Sequence, residues 1–260
     1  METDLKGLTA LITGASSGMG LEMSRALASH GARVVMAARG GEKLDAAHAA
    51  LLAEGLEAYP LAMDVRDEAA VEAGARRFRE RFGAPDLLVN NAGIGNNAPG
   101  FVPGRPFWEL DPAVFRNVVE TNLTGYFLVS RAFVPLMLAR GGGRIVNVST
   151  SDGTMVRAGM IPYGPSRAGA EALSRCLAEE LGPLGITVNV ICPGGATDTG
   201  MATPAMREEF LRMGRSMLPP DVMNEAILFL ASPEAAGLTG EKLVCKDFPA
   251  WLERWRAERG

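Results

Sequence analysis

Tyr163 and Arg167 stand four residues apart in Tyr163-Gly164-Pro165-Ser166-Arg167, at the head of an amphipathic stretch. On a helix that spacing puts both side chains on one face, so a fixed cation sits beside a phenol. An ordinary phenol ionises near pH 10, and bringing it to neutrality takes about 4 kcal/mol of preferential stabilisation of the phenolate. An adjacent guanidinium and the amino-terminal end of a helix both push that way. A phenol so placed is suited to give a proton to a carbonyl oxygen or take one from an alcohol. The pair alone is also compatible with a buried structural tyrosine next to a solvated arginine, the lesser of the two readings.

A second chemical feature lies near the start of the chain. The segment Thr13-Gly14-Ala15-Ser16-Ser17-Gly18-Met19-Gly20 falls between an apolar run and an amphipathic one. There, Gly14 permits a tight turn, Gly18 lets the backbone approach a pyrophosphate, and Gly20 lets the following helix pack on a sheet. Ser16, Ser17 and the N–H groups around Met19 then face the anion at a helix amino terminus. The Gly-Lys-Ser/Thr ending of a nucleoside triphosphatase loop is missing. The next apolar run ends Ala37-Ala38-Arg39, where an NAD site would present an acid to the adenosine ribose. Arg39 instead suits a charge-assisted fork to a 2′-phosphate, helped by the hydroxyls of Ser16 and Ser17. NADP(H) is therefore the expected cofactor, with NAD(H) as the second option. Asp64 and Val65, after the third apolar run, suit the adenine edge through a carboxylate and a backbone N–H, and Asp64 equally suits a helix cap.

Such groups need a scaffold that carries them to one edge. Short apolar, β-branched runs alternate with amphipathic stretches, the pattern of parallel strands joined by crossover helices. The expectation is a single α/β domain over residues 1–260, with a doubly wound, Rossmann-type parallel sheet of seven strands and helices on both faces. Strands are expected at 8–13, 33–38, 57–63, 86–90, 144–149, 186–191 and 242–245. Asp111-Pro112 marks a helix start and Gly31 a helix end. Residues 99–106 read as a long surface loop, a place where substrate contacts often lie.

Taken in order and at their intervals, the glycine segment Thr13–Gly20, Asn90-Asn91-Ala92-Gly93, Asn122, the Tyr163–Arg167 pair and Pro193-Gly194 resemble the short-chain dehydrogenase/reductase superfamily over about residues 5–245. The resemblance implies hydride transfer between NADP(H) and a carbonyl or alcohol carbon, with Tyr163 as acid or base. It implies that Asn91, Ala92 and Gly93 line the adenosine side and stabilise the central sheet. Pro193 and Gly194, with Thr197 or Thr199, then meet the nicotinamide carboxamide and ribose. Four residues act in this family: an asparagine, here Asn122; a tyrosine, here Tyr163; a serine; and a lysine. The serine position, thirteen before Tyr163, is Thr150, with Ser149 and Ser151 beside it as rivals. The lysine position is Arg167, which keeps the charge and reaches ribose hydroxyls but is planar, bulkier and effectively never loses a proton. Three readings of Arg167 stand: a relay that works with arginine, a nucleotide-binding relative with little turnover and a regulatory or assembly role, or an engineered replacement of lysine. The resemblance also implies a homotetramer or homodimer and a substrate flap at about 197–220.

Composition narrows the remaining classes. With 26 basic and 30 acidic residues the net charge is −4, so the field that a nucleic acid partner needs is missing. The first residues lack a basic segment followed by an apolar core, and no apolar run approaches the ~20 residues of a bilayer span, so a cytoplasmic protein away from membranes is expected. Cys176, Cys192 and Cys245 are odd in number, widely spaced and set among apolar neighbours, and are expected to be buried, reduced thiols. His30 and His48 are the only histidines and lack ligand-spaced partners, which argues against a metal site and against a histidine-dependent hydrolase. Met155, Met160, Met201, Met206, Met213 and Met217 gather around the expected mouth and flap. They suit a small to medium apolar carbonyl substrate, or else pack a helix on the core. Trp251 and Trp255, in the tail at 246–260, suit a neighbouring subunit or the chain's own interior.

Overall fold

The computed structural model describes residues 3–95 and 97–259, so both ends of the expected 1–260 domain, and the last residue of its tail, lie outside the described residues. The apolar runs form β1 (Thr9–Thr13), β2 (Arg33–Ala38), β3 (Ala58–Ala62), β4 (Leu87–Asn90), β5 (Gly143–Val148), β6 (Ile186–Cys192) and β7 (Lys242–Val244). They make one seven-stranded sheet in the order β3-β2-β1-β4-β5-β6-β7, every neighbouring pair parallel. The expected strands and the doubly wound class are both present, with ends shifted by a residue or so.

Side-chain alternation divides the core between the two faces of the sheet. Ala10 and Ile12 of β1, with Val34 and Met36 of β2, enter one apolar cluster; Leu11, Val35 and Ala37 enter the other. The first is closed by α1 (Gly18–Ser29), α2 (Glu42–Ala53), α9 (Asn224–Ala231) and α10 (Phe248–Ala257). The second is closed by α3 (Glu68–Phe82), α5 (Gly125–Arg140) and α7 (Tyr163–Leu181). Each fully buried Leu, Phe or Met of these helices contributes about 1.5–3 kcal/mol. Shorter helices α4 (Pro112–Val119), α6 (Asp152–Met155) and α8 (Pro204–Arg212) complete the set. Asp111 caps α4 by accepting from the Ala113 N–H at 2.8 Å, and Gly31 follows α1 at φ 92°. Both agree with the expected signals.

The chain reverses its direction of growth between β1 and β4, which are neighbours in space. That switch opens a crevice at the carboxyl ends of the two strands. The segments after β1, β4, β5 and β6 all emerge on this edge, as does the first turn of α7.

Three expectations are refined or corrected. First, α4, a π-helical turn at Glu120–Thr124 and α5 form one continuous helix, Pro112–Arg140, of 29 residues and mean hydropathy 1.2 over its most apolar window, long and apolar enough by composition to span a bilayer. Arg116, Glu120 and Arg131 interrupt the run in sequence, which hid its length. Val129, Phe133 and Met137 are wholly buried in the second cluster, so this helix packs on the sheet as a core helix does. Second, Cys192 and Cys245 are buried but Cys176 is exposed. Its apolar sequence neighbours belong to other faces of α7, and sequence adjacency does not place residues on one face of a helix. Third, Trp251 and Trp255 fold onto their own chain, stacking at 5.9 Å between ring centroids and meeting Phe229 edge-on at 5.8 and 5.2 Å. Phe229 is completely buried at the centre of this aromatic group. Phe229→Ala is expected to lower unfolding free energy by about 3–5 kcal/mol, measured as a fall in the urea midpoint.

Candidate active site

The turn between β1 and α1 is tight because three glycines leave no room for more. Gly14 and Gly18 adopt φ of 67° and 55°, and a Cβ on Gly14 would lie 2.8 Å from Ala92 Cα. A Cβ on Gly20 would lie 2.5 Å from the Gly14 carbonyl oxygen and closer still to Asn91 Nδ2. Gly20 therefore serves the turn itself as well as helix packing. Asn91 Nδ2 donates to the Thr13 carbonyl at 2.9 Å, while Thr13 Oγ1 accepts from the Asn91 and Ala92 N–H groups at 3.0 Å each. The segment after β4 is thus pinned to the glycine turn. Asn90 points into the interior, donating to Asn147 Oδ1 at 2.9 Å and Ser130 Oγ at 3.1 Å, which ties β4 to β5 and α5. Ser17 occupies the N-cap of α1 but makes no side-chain cap bond, leaving its hydroxyl and the first N–H groups of the helix uncommitted. Such an end is an anion site.

Arg39 is exposed just beyond β2. The Arg66 guanidinium, and to a lesser degree Arg39, hold the Asp64 carboxyl below the usual carboxylate range. Arg66 grips both Asp64 oxygens, at 3.1 and 2.6 Å, and reaches Asn117 Oδ1 at 2.9 Å. The expected adenine contact of Asp64 would share oxygens already held by Arg66. Val65 is buried and packs where α5 begins; a Cβ on Gly125 would lie 2.9 Å from its Cγ2.

Tyr163 opens α7, and Arg167, one turn on, is 2% exposed. Its guanidinium carbon lies 5.3 Å from the Tyr163 ring centroid and 5.7 Å from that of Tyr126, between two phenols. Nη1 donates to Tyr126 Oη at 2.8 Å and to the Val148 carbonyl at 2.9 Å. Nη2 lies against Gly93, where a Cβ would collide with it, and Nε is buried without a partner. Burial opposes the guanidinium charge, but the oxygens of Tyr126 and Tyr163 draw it the other way and raise its ionisation above the usual arginine value. Burial pushes the Tyr126 hydroxyl up against the pull of Arg167. It stays protonated and donates to the Val148 carbonyl at 3.0 Å.

Asn122 lies on the π-helical turn. Its Oδ1 accepts from the Ile94 N–H and its Nδ2 donates to the Ile94 carbonyl, each at 2.9 Å, and Nδ2 also reaches Ser166 Oγ at 2.9 Å. Ser166 in turn donates to the Tyr163 carbonyl at 2.7 Å. The Asn122 side chain is thus spent on fixing the loop after β4 against the first turn of α7. Among the three hydroxyls after β5, Ser151 is bound to Thr154 at 2.9 Å and Ser149 Oγ is buried without a partner. Thr150, between them in sequence, is 8% exposed.

Pro193 and Gly194 follow β6. Gly194, at φ 88°, is pressed against Lys246 and Val244, 2.6 and 2.7 Å from where its Cβ would be. The two threonines separate here. Thr197 pairs with Leu218 in an isolated β-bridge, whereas Thr199 reaches the cradle, its Cβ and Cγ2 each 3.3 Å from the position of a Cβ on Gly18. Met201 Sδ and the Tyr163 ring both lie beside Gly95, 3.0 and 3.6 Å from where its Cβ would be. Arg207 of α8 holds the segment in place, bonding Asp198 Oδ1 at 2.8 Å and the Thr199 and Ala202 carbonyls at 2.9 and 2.8 Å. No residue of α8 is fully buried: Met206 is half-buried, and Met213, just beyond the helix, is exposed.

Four contributors escaped the sequence reading: Tyr126, Ser166, the Val148 carbonyl and Thr13 as the post between two segments. Tyr126 lies four residues after Asn122, and Ser166 three after Tyr163, so helical spacing carried a signal for both. A backbone carbonyl carries none.

A doubly wound parallel sheet with a glycine turn at its switch point, and a tyrosine and an arginine on the same edge, defines a dinucleotide-type α/β fold. The family model described as short chain dehydrogenase matches residues 8–209, and the chain belongs to that family of oxidoreductases. The 3-oxoacyl-(acyl-carrier-protein) reductase FabG of Escherichia coli is 35% identical over 245 residues, covering 92% of this chain and 96% of that protein. A variant of actinorhodin polyketide ketoreductase crystallised with NADPH is similar with a TM-score of 0.82 and 35% identity, over 95% of this chain and 98% of that one. The 3-ketoacyl-(acyl-carrier-protein) reductase of Brucella melitensis, in complex with NADH, matches with a TM-score of 0.82 and 34% identity, over 93% of this chain and 97% of that one.

Proposed function

We propose that the protein is an NADP(H)-dependent carbonyl reductase or alcohol dehydrogenase acting on a small to medium apolar substrate. The observation that carries this reading is the placement of the Tyr163 phenol against the buried Arg167 guanidinium, 5.3 Å from ring centroid to guanidinium carbon, on the edge of the sheet that bears the glycine cradle. The turn suits a pyrophosphate: its glycines allow a backbone too tight for a Cβ at Gly14 or Gly20, and it leads into a helix amino terminus with no side-chain cap. Gly14, Ser16, Ser17, Gly18, Met19 and Gly20 would hold the phosphates, with Asp64, Val65, Asn91, Ala92 and Gly93 on the adenosine side. Pro193 and Gly194, with Thr199 nearer the cradle than Thr197, would hold the nicotinamide end. The nicotinamide, when bound, supplies or accepts the hydride.

The remaining steps belong to the chain. Thr150 and Tyr163 offer hydroxyls to the substrate oxygen, and Tyr163 gives the proton in reduction and takes it in oxidation. Arg167 acts as a permanent charge, since a guanidinium does not release its proton near neutral pH. Asn122 positions the loop after β4. Met201 and the apolar residues of the flap, with Met155 and Met160 before Tyr163, favour an apolar substrate. We place the protein in the cytoplasm as a homotetramer or homodimer, with Phe115, Phe127 and Leu138, all exposed on the 112–140 helix, as the face a second copy would cover.

The test is a panel of aliphatic and aromatic ketones and aldehydes offered with NADPH and, separately, NADH. Steady consumption of NADPH with at least one compound is the expected outcome. Saturable NADPH binding with no consumption across the panel would favour a binding protein with a regulatory or assembly role. The cofactor preference has its own prediction. Arg39→Ala removes a charge-assisted fork and is expected to weaken NADPH by roughly 10- to 100-fold while leaving NADH nearly unchanged. Equal losses for the two cofactors would contradict the assignment of Arg39.

A further inference from the structure

The two branches of the Arg167 guanidinium have different surroundings, one in the interior and one against the loop after β4. Nη1 is held inside the protein by Tyr126 Oη and the Val148 carbonyl, at 2.8 and 2.9 Å. The Tyr126 hydroxyl closes the set by donating to the same carbonyl at 3.0 Å. Tyr126 is 1% exposed, and its ring lies under the guanidinium at 5.7 Å. Nη2, on the other branch of the fork, lies against Gly93 at the end of β4. A guanidinium is rigid and planar, so anchoring one branch fixes where the other points. An ammonium has a single nitrogen on a flexible stem and cannot divide its duties in this way.

We propose that Tyr126 is a positioning residue for the reaction: its hydroxyl, with the Val148 carbonyl, clamps the inner branch of Arg167 so that the outer branch presents its N–H groups to the cofactor ribose and its charge to Tyr163. The clamp explains how an arginine serves in a site of this size without swinging into the cleft. It also predicts a dependence. The Tyr126 hydroxyl matters when residue 167 is arginine and loses most of its importance when that residue is shortened to lysine. This inference rests on the functional reading of Arg167 given above.

The experiment is a double-mutant cycle on the full chain: the unmodified protein, Tyr126→Phe, Arg167→Lys and the combination. Three quantities are read for each form: kcat with KM on the best carbonyl of the panel, NADPH affinity by fluorescence titration, and the melting temperature without cofactor. With arginine present, Tyr126→Phe is expected to lower kcat about 10-fold and NADPH affinity several-fold, whereas beside lysine the same change should alter both by less than about 2-fold. Tyr126→Leu repeats the comparison should the phenylalanine form not fold. An equal cost of Tyr126→Phe in both backgrounds would overturn the clamp. So would a fall in melting temperature with kcat and NADPH affinity unchanged, because that is the signature of packing alone. If no form turns over, the oxidoreductase reading fails, and the cycle is read in NADPH affinity: coupling there supports the clamp and additivity overturns it.

Discussion

Tyr163→Phe is expected to lower kcat for carbonyl reduction by roughly 10²- to 10⁴-fold while NADPH binds nearly as before, the usual range for loss of a general acid. The ring stays, so its place beside Gly95 and the start of α7 are retained. Only the hydroxyl leaves; the other phenol beside Arg167, Tyr126, is 1% exposed and donates to the Val148 carbonyl at 3.0 Å, so it cannot replace it. Arg167 cannot take over, because burial does not release its proton; its phenolic neighbours raise its ionisation. Thr150 cannot either, since an aliphatic hydroxyl is far too weak an acid. Parallel measurements of kcat and NADPH affinity check this. A Tyr163→Phe form with kcat within about 3-fold of the unmodified protein would remove the phenol from the chemistry.

Gly20→Ala carries the second large effect, and it acts on the cofactor. The added methyl would stand 2.5 Å from the Gly14 carbonyl oxygen and closer still to Asn91 Nδ2. Neither neighbour is the loose end of a flexible chain. The carbonyl is backbone in a turn already at φ 67°, and Asn91 is held by the Thr13 carbonyl at 2.9 Å. Relief requires the turn to open, which moves the helix amino terminus away from the pyrophosphate. An expected loss of about 100-fold or more in NADPH affinity, some 3 kcal/mol, follows from overpacking a site with no slack. Calorimetric titration of NADPH would show it. Affinity within about 3-fold of the unmodified protein would mean that the cradle does not bind the cofactor as argued.

The fold was legible because its signals are local and repeated. β1 reads as an apolar run, its end is marked by Gly14, and apolar runs recur at Arg33–Ala38 and Ile186–Cys192, so the seven strands form close to their expected ranges. Much of the site was legible for a related reason: Gly14, Gly20 and Gly93 sit where backbones or a buried guanidinium come too close for a Cβ, and such positions leave a residue type in the sequence. What escaped depends on three-dimensional convergence. Arg167 was readable as a cation one helical turn from Tyr163. That its inner branch is taken by a phenol 41 positions earlier and a carbonyl 19 positions earlier was not. That Thr199 lies beside Gly18 while Thr197 pairs with Leu218 likewise needed the fold. Cys176 and the 112–140 helix misled for the opposite reason. Runs of letters were read as environments, whereas a helix distributes its neighbours around its axis and continues through an isolated charge.

The polar contacts around the site connect these observations. Asn122 holds Ile94, Ser166 holds the Tyr163 carbonyl, and Thr13 holds Asn91 and Ala92. Through them the glycine turn, the loop after β4 and the first turn of α7 are braced against one another. A site braced before substrate arrives loses little free energy to rearrangement during reaction. Asn122, Ser166 and Thr13 thus hold segments together, and in the proposed function contact with the substrate falls to Tyr163 and Thr150.

The most direct measurement follows the hydride. The protein is incubated with a ketone it reduces and with NADPH deuterated at the reactive carbon of the nicotinamide, and the alcohol is analysed by mass spectrometry and proton NMR. One deuterium on the former carbonyl carbon of the product, formed in step with NADPH oxidation and lost in the Tyr163→Phe form, is the predicted result. Alcohol without the label, or oxidation of NADPH that leaves the ketone untouched, would contradict the account.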